Sequence, residues 1–259
     1  MRADDAGDPT VRRLVLQHLE TLERAGVERI DRRAALPSPS APAADPAKIE
    51  RPQRDAVQHT ADDAKPPTHP AVDAQIAELA ALADEVRNCT LCQDLAKSRT
   101  QTVFGVGNPN PRLCFFGEAP GADEDRQGEP FVGAAGQLLN RIIQAMTLSR
   151  EDVYILNVLK CRPPGNRNPK PDEISSCRPF FERQLEILDP DFICCLGGYA
   201  AKTLLNTEDS VGRLRGRLHD FRGIQVVVTY HPAYLLRAPE AKRKTWDDIQ
   251  LLMREMGIS

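Results

Sequence analysis

Four of the seven cysteines in this chain form a set that could hold a metal: Cys89 and Cys92 make a C-x-x-C pair, and Cys161 and Cys177 follow as C-x15-C. Four thiolates suit either a tetrahedral zinc ion or a 4Fe-4S cluster. The other three, Cys114, Cys194 and Cys195, lie inside apolar runs, where a thiol acts as a small buried hydrophobe. An odd number of cysteines in a chain that begins MRADDAGDPT, with two early aspartates and no apolar stretch, argues against a disulfide framework.

A second set of residues stands where apolar runs end. Gly117 to Asp125 reads GEAPGADED and leads through Gly128 and Pro130 to Phe131. Glycine and proline fix an unusual loop there and leave carboxylates and one aromatic ring at a strand end. A ring in a polar loop gains little unless it stacks on something. Asn157 interrupts the apolar run ILNVLK. An amide offers a donor and an acceptor together, which matches O4 and N3–H of uracil and mismatches the corresponding edge of cytosine. His231, fixed by the following Pro232, is suited to donate to a developing anion.

The elements that must carry these residues alternate. Residues 112–117, 153–159, 191–196 and 225–229 are rich in β-branched and aromatic side chains and read as buried strands. Residues 134–146, 171–188 and 199–205 have helical periodicity. The alternation predicts an α/β fold with a central, mostly parallel four-stranded sheet, helices on both faces, and ligand sites at the carboxyl ends of the strands. Two basic groups fall in the same connections: Lys160, Arg162, Arg167 and Lys170, then Arg213, Arg215 and Arg217. Together they are candidates for phosphate contacts.

Before this domain, assigned to 74–259, two segments differ in composition. Residues 1–34 place Val11, Leu14, Val15, Leu19 and Leu22 on one face of an amphipathic helix, a possible docking element for a protein partner. Residues 35–73 are dominated by Pro, Ala, Asp and Lys and are expected to be a disordered linker. With 259 residues at 41% hydrophobic content, a single main core is expected. A net charge of -3 argues against a protein that coats nucleic acid by overall positive charge, while leaving room for local basic strips. No apolar run is long enough for a membrane helix, so the expectation is a soluble, cytoplasmic monomer.

Three stretches, GEAPGADEDRQGEPFVGAAGQLL, NVLKCRPPGNRNPKPDE and HPAYLLR, resemble the signature sequences of the family 4 uracil-DNA glycosylases, and the cysteine spacing is similar too. The resemblance covers roughly residues 76–259. It implies a uracil-DNA glycosylase-like fold and a base excision repair enzyme that hydrolyses the N-glycosidic bond of uracil in single- or double-stranded DNA. It implies a 4Fe-4S cluster on Cys89, Cys92, Cys161 and Cys177, in preference to zinc. Phe131 corresponds to the ring that stacks on the flipped base, Asn157 to the amide reading its pairing edge, and His231 to the donor to O2. Glu124 corresponds to the residue beside C5 that excludes a thymine methyl. Glu118 matches a carboxylate that orients or activates water, and Ala119 occupies the place of a catalytic aspartate in distantly related enzymes. Leu235 or Leu236 is expected to fill the space the base vacates, with Arg237 beside them at the DNA. An electron carrier would explain the cysteines but not Phe131, Asn157 and His231. A cross-linking relative would carry a histidine-containing basic insertion after the first motif, and none is found here.

Overall fold

In a computed structural model of the chain, residues 70–258 are described. The expected helix in 1–34 and nearly all of the linker at 35–73 lie outside them. The last residues of that linker are already helical, since α1 spans Pro70–Arg87.

Six strands form one sheet: β1 (Val106–Gly107), β2 (Leu113–Gly117), β3 (Tyr154–Asn157), β4 (Phe192–Leu196), β5 (Leu218–Phe221) and β6 (Ile224–Thr229), in the order β1-β3-β2-β4-β6-β5. The four predicted strands make the parallel centre. The two extra strands are antiparallel edges, β1 on β3 and β5 on β6, so the sheet has six strands where the sequence suggests four. Both escape periodicity for a physical reason. β1 is two residues long, and β5 is at most half-buried and lacks a continuous apolar run.

Side chains along the parallel strands alternate between two cores. Cys114, Phe116, Tyr154, Leu156, Ile193, Cys195, Val226 and Val228 point to one face. Leu113, Phe115, Val153, Ile155, Phe192, Cys194, Leu196 and Val227 point to the other. Both faces are apolar because both are covered. The first is packed by α1, α2 (Gln93–Ser98), α5 (Pro171–Leu188) and α6 (Gly198–Leu205), the second by α4 (Ala134–Ala145) and α9 (Lys242–Met256). The three cysteines read as hydrophobes are fully buried core residues. Short helices α3 (Ala122–Gln127), α7 (Val211–Leu214) and α8 (Pro232–Arg237) lie in the connections.

The chain leaves β2 towards β3 and leaves β4 towards β6, so the connections diverge between β2 and β4. A crevice opens at the carboxyl ends of strands where such a divergence occurs. Gly117, Asn157, Gly197 and Tyr230 are the residues at or just past those ends.

Candidate active site and cysteine cluster

A cleft of about 400 Å3 lies at this end of the sheet, and Glu118, Ala119, Glu124, Phe131, Asn157 and His231 all line it. Six residues read from three distant sequence segments therefore meet in one place. Arg237 also lines the cleft.

The floor is built at the last residue pair of β2 and β3, Gly117 opposite Asn157. A side chain at 117 would put its Cβ 2.2 Å from Asn157 Oδ1 and 2.7 Å from the Phe131 ring, so glycine is what lets amide and ring share the floor. Asn157 is 2% exposed, and among the described residues its Oδ1 has no hydrogen-bond partner. An orphaned acceptor buried in the protein costs free energy unless a ligand donor meets it.

Phe131 stands in the left-handed region at φ 55, and its ring centre is 5.5 Å from that of His231. His231 caps α8: its Nδ1 accepts from the Ala233 N–H at 3.1 Å. That bond places the ring proton on Nε2, the nitrogen left free to donate. Burial, with Arg237 nearby, pushes the imidazole pKa down to about 4, so the ring is neutral at physiological pH. Desolvation moves Glu118 the other way, up to about 7, which suits a group that exchanges a proton at neutral pH.

Glu124 does more than line a wall. Its Oε2 accepts from Gly121 N at 3.1 Å and its Oε1 from Val132 N and Gly133 N at 3.0 and 3.1 Å. The carboxylate thus ties the start of α3 to the loop that carries Phe131. The bonds to Val132 and Gly133 bridge eight and nine residues and leave no local signal in the sequence.

Of the two leucines proposed to enter DNA, the structure separates one from the other. Leu235 is 1% exposed and packs with Leu138 of α4 and Ala241, so it is a core residue. Leu236 is 43% exposed on the same short helix, next to exposed Arg237. A helix turns about 100° per residue, which puts neighbours on different faces. Tyr234, not singled out by sequence, is exposed at the cleft and stacks on Tyr230 with ring centres 5.3 Å apart.

The basic groups divide as well. Lys160 is 1% exposed and donates to the carbonyls of Phe104 and Asn157 at 3.1 and 2.9 Å, so it is internal and unavailable to phosphate. Arg215 is bound to the buried Asp248, which also accepts from Thr229 Oγ1 at 2.7 Å. Arg167 pairs with Glu173 at the start of α5 and still lines the cleft.

Cys89, Cys92, Cys161 and Cys177 line a separate small hollow. Cys89 and Cys92 lie between α1 and α2, Cys161 just after β3, and Cys177 on α5. Their surroundings suit sulfur that carries negative charge: Arg99 Nη1 donates to Cys161 Sγ at 3.0 Å and Lys160 N to Cys177 Sγ at 3.4 Å. Burial raises the free thiols of Cys92 and Cys161 and pushes that of Cys177 up to about 12. Among the described residues no three Cys, His, Asp or Glu side chains converge closely enough to hold a single ion. Four thiols lining one hollow are a donor set that suits a 4Fe-4S cluster or a zinc ion.

Residues 104–250 match the uracil DNA glycosylase superfamily. The chain is similar to the type-4 uracil-DNA glycosylase of Archaeoglobus fulgidus, 44% identical over 174 residues that make up 64% of this chain and 87% of that protein. It is similar to those of Saccharolobus solfataricus, 43% identical over 65% of this chain and 82% of the relative, and Thermotoga maritima, 43% identical over 65% and 90%.

Proposed function

The chain belongs to the uracil DNA glycosylase superfamily, alongside its type-4 enzymes, and from that premise we propose that it hydrolyses the N-glycosidic bond of uracil in DNA, leaving an abasic site for base excision repair. The observation that carries this reading is the unpartnered Oδ1 of Asn157, buried beside a ring that can stack on a base. The uracil N3–H donates to Oδ1 and its O4 accepts from Nδ2, while cytosine would leave both groups mismatched.

Bond cleavage needs an oxocarbenium-like sugar and a uracil anion, so stabilisation of that anion is the main task. The Nε2–H of His231 donates to O2 from a neutral ring, and Phe131 holds the base plane. Glu118, ionised in part at neutral pH, takes the proton of the attacking water. No lysine among the described residues lines the cleft, and the Lys160 amine is committed to two carbonyls, which favours a water nucleophile over an amine and hence no strand cleavage. Glu124, fixed by its backbone bonds, cannot swing aside for a thymine C5 methyl. Leu236 fills the stack that the flipped base leaves, with Arg237 near the phosphates.

Cys89, Cys92, Cys161 and Cys177 would hold a 4Fe-4S cluster, whose contribution is a covalent cross-link among the α1–α2 connection, the end of β3 and α5. The enzyme acts as a cytoplasmic monomer on single- or double-stranded DNA. No helix among the described residues is long and apolar enough to cross a membrane. Purified, iron-loaded protein incubated with uracil-containing oligonucleotides should release free uracil and leave alkali-labile abasic sites. A folded, iron-loaded protein that releases none ends this reading.

A further inference from the structure

Phe131 is an aromatic residue held at φ 55, a conformation that L side chains rarely adopt and that persists only where surrounding groups over-determine it. Two charged side chains grip the backbone around it. Glu124 Oε1 accepts from the next two amides, Val132 and Gly133. On the carbonyl side, Arg150 Nη2 donates to Pro130 O at 2.9 Å and its Nη1 to Phe131 O at 3.3 Å. Nη1 is itself aligned by Asn140 Oδ1 on α4 at 3.0 Å. The helix presses on the same carbonyl: a Cβ at Gly136 would sit 1.8 Å from Phe131 O.

We propose that Arg150 is a positioning residue for the proposed reaction, setting the angle of the Phe131 ring by holding the carbonyls on either side of its peptide while Glu124 holds the amides beyond. Arg150 does not line the main cleft, so its part is to position the ring. It lies just before β3, so its guanidinium links the strand that carries Asn157 to the loop that carries Phe131. The fork suits this task because it reaches two carbonyls and one amide oxygen at once, which an ammonium on a flexible stem cannot do with the same geometry. The ring and the amide that face each other across Gly117 are thereby fixed to a common frame. The inference rests on the reading of Phe131 as the ring that stacks on the base.

The test uses the full, iron-loaded chain and two measurements. In single-turnover release of uracil, Arg150→Met should slow the wild-type rate on the order of tenfold, the usual consequence of losing charge-assisted hydrogen bonds at one group, with Arg150→Lys in between. In a Phe131→Leu background the same substitution should cost less than twofold, because the ring it orients is gone. An equal loss in both backgrounds overturns the proposal, since Arg150 would then act independently of the ring. Separately, amide exchange at Val132 and Gly133 should accelerate in Arg150→Met, and unchanged exchange overturns the proposal whatever the activity. Should Arg150→Met fail to fold, Arg150→Lys decides by the same two measurements. A wild-type chain that releases no uracil sinks the functional reading, while amide exchange still tests the clamp.

Discussion

The cleft and the cysteine hollow are neighbours in sequence, since Asn157 ends β3 and Cys161 follows just after it, yet they treat unmet chemical demand in opposite ways. At the cleft, a buried acceptor on Asn157 stays empty and a ring stays strained, in a space open enough to admit a base. At the hollow, four thiols are gathered in apolar surroundings with N–H donors already aimed at two of the sulfurs. The cleft keeps its deficit for a transient ligand. The hollow, on the proposed reading, meets its own with a resident cluster. Lys160 joins them: its Nζ donates to the Asn157 carbonyl, and its backbone N–H donates to Cys177 Sγ. Damage at the hollow should therefore spread to the cleft, and damage at the cleft should stay local.

The largest effect follows on the cysteine side. Cys161→Ala should lose iron, thermal stability and uracil release together, because a resident metal group contributes folding energy directly. Calorimetry with iron analysis checks this; a variant that loses iron yet keeps its melting temperature would break the contrast. Asn157→Asp is the complementary case. Its melting temperature should stay close to wild type while uracil release falls on the order of a hundredfold or more. Rejection of cytosine, for which a polar mismatch can supply a factor on the order of ten thousand, should weaken at the same time. Release of both bases from matched oligonucleotides reads the two effects.

A smaller effect separates the two titrating groups of the cleft. Glu118, pushed up to about 7, must be ionised to take a proton, so the single-turnover rate should rise with pH through about 7. His231, pushed down to about 4, keeps its neutral donor form across that range and adds no second inflection. Glu118→Gln should slow the reaction on the order of a hundredfold and flatten the profile. Stability is a poor readout here because the signs oppose. A carboxyl raised from 4.5 to about 7 withdraws stability as pH rises through that window, whereas an imidazole lowered from 6.5 to about 4 restores stability as pH rises through its own. A rate profile that keeps its inflection in Glu118→Gln would remove Glu118 from the proton path.

How much of this was legible in sequence follows the same division. The parallel strands announced themselves because both faces are apolar, and each polar residue at their ends stood out against that background. Asn157 and His231 were visible for this reason. The antiparallel edges were not, since a two-residue strand leaves no period. Nor were the long-range polar ties. Nothing in the local sequence of Arg150 says that its guanidinium meets the Phe131 loop, and the charge of Lys160 pointed to phosphate when its stem runs into the core. Glu124 was legible as a cleft residue but not as a clamp, because two of its partners lie eight and nine residues away. Replacing it with glycine would therefore loosen the Phe131 loop as well as admit a methyl group.

The adjacent leucines of α8 give the smallest effect and the cleanest pair. Leu235 belongs to the core, so Leu235→Ala should cost about 2–5 kcal/mol of stability and lower the melting temperature, with activity falling only as far as folded protein is lost. Leu236 is exposed, so Leu236→Ala should leave the melting temperature within about 1 °C, as surface substitutions usually cost little. Its consequence should appear in the substrate. Flipping a base out of a duplex breaks stacking and pairing and leaves a gap that an inserted side chain can fill, whereas a single strand has no pairing to lose and little stack to repair. Excision from double-stranded DNA should thus slow by a few-fold, the scale of one partly offset stacking step, while excision from the single strand stays unchanged. Equal slowing on both substrates would place Leu236 at the base pocket rather than in the stack. No slowing on either would leave Tyr234, stacked on Tyr230 and exposed at the same rim, as the side chain that meets the duplex.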